Sequence, residues 1–164
     1  MDSRRATKFG VLTAVAVGGS LIYGAAAGRV LPEQMSGHGA LLLTLSTGSS
    51  WFVLGALLVT LSRKSIWDLA EACLITMAYG EAVLIAGAAI DWTFGAAMVE
   101  AKLALPANIA IVAVSNVLMA FWFVRQLRVL GVTAKVSLSL WILGLNGSWP
   151  IFLILFRKIL EGGR

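Results

Sequence analysis

Five stretches of this chain are each long and apolar enough to cross a bilayer, and that leaves few folds open: residues 9–29, 39–62, 66–90, 104–124 and 136–156. A helix needs about 20 mainly apolar residues to span the hydrocarbon. Lipid-exposed backbone must satisfy its own hydrogen bonds, so each stretch is expected to be helical. No stretch alternates with a period of two, which excludes a transmembrane barrel. With 59% apolar residues in 164, a water-soluble domain of this size could not bury its own apolar surface. The expectation is an all-α, polytopic bundle of about five transmembrane helices forming one domain, with the lipid bilayer as its first partner.

Basic residues set the orientation. With the N-terminus in the cytoplasm, the inner segments hold Arg4, Arg5, Lys8, Arg63, Lys64, Arg125, Arg128 and Lys135, against Arg29, Lys102, Arg157, Lys158 and Arg164 outside. The expected location is therefore the cell membrane with a cytoplasmic N-terminus, and an odd number of spans puts the C-terminal tail outside. The first span resembles a signal peptide in its basic start and Ala25-Ala26-Ala27, but its apolar stretch exceeds the usual ~7–15 residues. It also carries Ser20, Gly24 and Gly28 at spacings of four, a stripe that permits close helix packing. That stripe serves either contacts within the chain or a homo-oligomer. Basic residues flank the spans, where they meet lipid headgroups, so nucleic acid is not an expected partner. Trp67, Trp92, Trp122 and Trp141 fall near span ends and suit an aromatic belt. The loops are expected at 30–38, with Pro32, Glu33 and Gly37, and at 91–103, where Trp92 and Phe94 could anchor an interfacial segment.

The residues that lipid rejects are the informative ones. Glu81 lies near the middle of the third span, where a carboxylate costs about 2.5 kcal/mol or more. It must face the bundle interior, as the acid of a functional site or as a hydrogen-bonded brace between helices. Glu71 sits nearer the cytoplasmic end, within reach of Arg63 or Lys64, and Asp68 and Asp91 read as solvated boundary residues. The second span adds Ser46, Thr47, Gly48, Ser49, Ser50 and Trp51; the fourth adds Asn108, Ser115 and Asn116. The fifth contains Asn146-Gly147-Ser148-Trp149-Pro150, where proline removes a backbone donor and a kink is expected. Trp51, Tyr79, Glu81, Asn116, Asn146 and Trp149 share one depth. If they converge they form an apolar pocket with a few polar groups, the usual form of a small-molecule site.

Other chemistries are missing from the sequence. A single cysteine, Cys73, rules out a dithiol within one chain, and the single histidine, His38, falls in a loop. No phosphate-binding glycine loop, metal-ligand spacing or Ser/His/Asp set is present, so neither a metal nor a cofactor is expected. Acid–base chemistry at a carboxyl, or binding and transport, remain.

One run of residues resembles the integral-membrane terpene cyclases of meroterpenoid pathways: Ser46-Thr47-Gly48 with Trp51, then Arg63-Lys64, Trp67, Cys73 and Tyr79-Gly80-Glu81. In that family an aromatic-rich span and a short basic loop precede a span bearing a tryptophan–glutamate pair. The resemblance implies a small membrane enzyme acting on a hydrophobic, isoprenoid-type substrate. Glu81 would start the reaction as the acid, and Trp51, Tyr79 and Trp149 would stabilise a carbocation through their ring faces. This chain has Gly80 where the family has tryptophan, and no Asp or Glu in its last two spans. Two other functions fit the same residues: a proton-coupled or small-solute transport subunit with Glu81 as proton carrier, and a non-catalytic membrane partner of a larger complex.

Overall fold

The computed structural model describes residues 3–31, 39–62 and 64–161. The expected loop 30–38 from Pro32 onward, with Glu33, Gly37 and His38, lies outside the described residues, as do Arg63 and Arg164. Four long helices come first: α1 Ser3–Val30, α2 Gly39–Ser62, α3 Ile66–Glu100 and α4 Ala104–Val129. The fifth crossing is made in pieces: α5 Ala134–Leu140, a π-helical turn Trp141–Asn146, and α6 Trp149–Glu161. Among the described residues five segments are long and apolar enough to cross a membrane, the last running Ala134–Ile159. The chain is a multi-pass membrane protein. Large apolar side chains such as Phe52 (79% exposed) and Val129 (82%) face outward, where lipid rather than water covers them.

Successive helices run up and down. The side holding the start of α1 also holds the α2–α3 and α4–α5 links, and is called the N-side here. Each link is short and has its own stop signal. Gly131 takes a left-handed φ of 80° after α4, and the Thr133 hydroxyl then caps α5 by accepting from the Val136 amide. On the far side, Lys102 turns the chain with φ 57°. Pro106 falls in the first turn of α4, where no intrahelical donor is needed.

Helix α3 departs from expectation. It continues through Asp91-Trp92-Thr93-Phe94-Gly95 instead of ending at 90, because nothing in that run breaks a helix. Its 35 residues give a length of about 52 Å. A hydrocarbon layer of about 30 Å must let such a helix tilt or project. Gly95 lets α3 approach α1 at Val30, since a side-chain carbon there would fall 2.8 Å from a Val30 methyl.

The helices form an incomplete ring. α3 packs between α1 and α4, and α2 packs between α1 and α6. On the N-side the ring closes, because α5 rests on α4. There Trp51, Leu54, Leu58, Leu69, Phe123, Leu127 and Trp141 form the largest core cluster. On the far side α6 stays with α2, and α4 and α6 diverge. The divergence begins at the π turn. Gly147 N–H bonds Ile142 O (2.9 Å), five residues back, and Pro150 has no N–H to continue the ladder. The expected kink is therefore present, starting one turn earlier than 146–150.

Candidate functional site

The third span presents Glu81 to the centre of the ring. Its side chain is 2% exposed, wedged between α3 and α1. The wedge exists because α1 offers glycine at position 19: a carbon built there would overlap the carboxylate oxygen and lie 2.6 Å from Glu81 Cβ. Ser20, the next residue, donates its hydroxyl to Glu81 Oε1 at 2.7 Å. Glu81 Oε2 is buried with no hydrogen-bond partner among the described residues. An unpaired carboxylate oxygen is expensive in such surroundings. On the other side of α3, Gly80 sits against the Met119 side chain, and its carbonyl accepts from Ser115 Oγ at 3.0 Å.

Glu81 opens on a cavity of about 290 Å³ lined by all five helical crossings. That volume falls just below the ~300–1,000 Å³ range of small-molecule sites. The wall includes Ser20, Thr47, Trp51, Leu84, Ser115, Asn116, Met119, Asn146 and Trp149. Five of the six residues read from the sequence as one site thus meet there: Trp51, Glu81, Asn116, Asn146 and Trp149.

Tyr79 does not. It is 41% exposed on the outer surface, stacked on Trp122 with ring centroids 4.0 Å apart. Two residues along a helix are about 200° around it, so an inward Glu81 forces Tyr79 outward. Arg125 lies over the same Trp122 ring at 4.8 Å.

The asparagines act as connectors. Asn116 of α4 donates to Asn146 Oδ1 at 2.7 Å and accepts from Trp141 Nε1 at 3.1 Å. Asn146 in turn donates to the Trp141 carbonyl at 3.4 Å. Ser148 donates to the carbonyls of Gly144 and Leu145. The Asn146 and Ser148 bonds serve backbone carbonyls that the broken helix leaves over, as non-helical backbone at membrane depth requires, while the two Asn116 bonds tie its side chains to α4. Trp141, expected in the aromatic belt, is 2% exposed and is instead a strut between the π turn and α4.

A second buried carboxyl corrects another expectation. Asp91 is 3% exposed, not solvated. Asn108 donates to Asp91 Oδ1 at 3.1 Å and accepts from the Tyr23 hydroxyl at 2.7 Å. Asp91 Oδ2 has no partner among the described residues. Asn108 was visible in the sequence as a polar residue one heptad before Ser115; Tyr23 carried no such signal. Of the other acids, Asp68 is exposed, and Glu71 pairs with Lys8 of α1. Ser20 and Gly24 are buried within the chain's own bundle, with Gly28 half-buried. Among the described residues no cluster of three metal-ligating side chains occurs.

Outside the cavity, the gap between α4 and α6 forms a groove of about 630 Å³. Tyr23, Leu43, Val112, Asn116 and Trp149 line both spaces, so the two adjoin. The groove is otherwise mainly aliphatic, with Arg157 at its far-side end.

No protein-family model, no curated protein and no solved structure matches this chain.

Proposed function

We propose that this protein is a small membrane enzyme that binds a hydrophobic, isoprenoid-type molecule in the central cavity and starts its cyclisation with a proton from Glu81. The observation that carries the reading is a pair of unpaired polar atoms in one apolar wall. Glu81 Oε2 and Trp51 Nε1 are both buried without partners among the described residues, and both side chains line the cavity. Buried polar groups are rarely left so. Glu81 Oε2 lies against Gly19 of α1; a turn of the carboxyl toward the cavity would present its proton to a ligand's alkene or epoxide, and a ligand oxygen beside the indole would complete Trp51 Nε1.

The chemistry needs no co-reactant. The Glu81 proton adds to an alkene carbon or an epoxide oxygen, leaving a carboxylate and a carbocation. The electron pair of a neighbouring double bond attacks the cationic carbon and closes a ring. The last cation then loses a proton to the carboxylate, which restores the acid, so substrate and product are isomers. The indole faces of Trp51 and Trp149 supply the negative quadrupole that attracts such a cation. The apolar wall keeps water from quenching it. Ser20 holds the carboxyl in place. The excess of basic residues in the N-side segments supports a cytoplasmic N-side, and the cell membrane is the proposed location.

A second reading draws on Asp91. Two buried carboxyls on α3, each bonded to a neighbouring helix, suit a proton carrier or solute transport subunit. The test supplies membranes containing wild type or Glu81→Gln with linear and epoxidised prenyl compounds and compares extracts by mass spectrometry. A new isomer from the wild type alone is expected. No product from either, with both folded and abundant, would overturn the enzyme reading, and pH-driven flux in liposomes would then favour the carrier.

A further inference from the structure

The groove between α4 and α6 has a direction. Leu105, Ile109, Ala113 and Val117 line it at steps of four, on one face of α4. Twelve residues of helix rise about 18 Å, close to the ~15 Å hydrocarbon depth of one leaflet. At the far-side end stand Leu105 and Arg157, where α4 begins and α6 nears its end. At the other end Asn116 and Trp149 belong equally to the cavity of Glu81. Among the described lining residues Arg157 is the single charged one. The long walls are apolar, the interfacial end is basic and the inner end reaches the acid.

We infer that this groove holds a linear prenyl chain bearing a phosphate-type head, with the head at Arg157 and the far end of the chain beside Glu81. The arginine supplies charge complementarity and forked donors that suit phosphate oxygens. A molecule dissolved in one leaflet could enter sideways between α4 and α6 without leaving the bilayer. The acid would then act on the chain end most distant from the head, and the head would remain attached in the product. That last point and the prenyl character of the chain rest on the enzyme reading; the apolar tail and the phosphate-type head rest on the groove.

The experiment uses the purified full chain in nanodiscs of neutral phosphatidylcholine, with geranylgeranyl diphosphate and uncharged geranylgeraniol as probes in binding titrations. Wild type is expected to bind both, the diphosphate more tightly. Arg157→Gln should weaken the diphosphate at least tenfold and leave the alcohol within twofold. Ala113→Trp and Val117→Trp, placed on the groove face outside the cavity wall, should each weaken both probes at least tenfold. Tyr79→Leu, on the opposite surface, should change neither. A folded tryptophan variant of either kind that binds like wild type overturns the inference, as does Arg157→Gln affecting both probes equally or neither. Tight, groove-dependent binding without any isomer formed would sink the enzyme reading alone. An isomer formed at wild-type rate by Ala113→Trp would sink the groove alone.

Discussion

Asn116 joins the broken fifth crossing to α4, and its removal gives a direct measure of how that break is held. Asn116→Leu keeps the volume and deletes two interhelical bonds, one to Asn146 and one from Trp141. Such bonds in a membrane are worth about 0.6 kcal/mol on average and about 1.7 at most. The expected loss of unfolding free energy is therefore near 1.2 kcal/mol, with a ceiling of about 3.4. Asn146→Leu deletes the shared bond and its own contact with the Trp141 carbonyl. A double-mutant cycle isolates what is shared, and the coupling should fall between about 0.6 and 1.7 kcal/mol. The assay is reversible unfolding in bicelles followed by circular dichroism. Coupling below about 0.3 kcal/mol, within ordinary additivity, would refute the claim that these amides bind the π turn to α4.

Gly19→Ala should lower stability by about 1–3 kcal/mol, the usual cost of overpacking, and reduce product formation by displacing Glu81; unchanged melting would mean α1 can retreat without loss. Asp91→Leu strips Asn108 of a buried partner and should cost about 1–3 kcal/mol in the same unfolding assay. Lys102→Gly should raise stability by up to about 1 kcal/mol, because a left-handed backbone suits glycine at the end of α3. Tyr79→Leu should leave product formation at the wild-type level, since its ring lies outside the bundle.

Depth was legible in the sequence because it depends only on counting residues along each span. The cost of an acid in hydrocarbon turned Glu81 inward, and residues at the same level on other spans followed it into one cavity. Angular position was legible only within a helix. The offset between positions 79 and 81 already separates Tyr79 from Glu81, so depth alone does not bring Tyr79 into the cavity. Hydropathy ended the third span at 90, whereas helix continuity depends on breakers, and none occurs before Lys102. The burial of Asp91 required Asn108 and Tyr23 from two other helices, and no spacing within one helix reveals that. The groove was illegible for the same reason, since it exists because α6 follows α2 and leaves α4.

The interrupted fifth crossing also bears on how the chain enters the bilayer. Alone in lipid, the fifth crossing would leave Trp141 Nε1 and Asn146 Oδ1 without the partners that Asn116 supplies. The α4 helix emerges first and carries, at Asn116, the amide that meets the break. The last crossing should therefore insert in partnership with α4, and Asn116→Leu should strand the C-terminus on the N-side in a fraction of newly made chains. A glycosylation tag at residue 164 would report that fraction; identical tagging of wild type and variant would show that the fifth crossing inserts unaided.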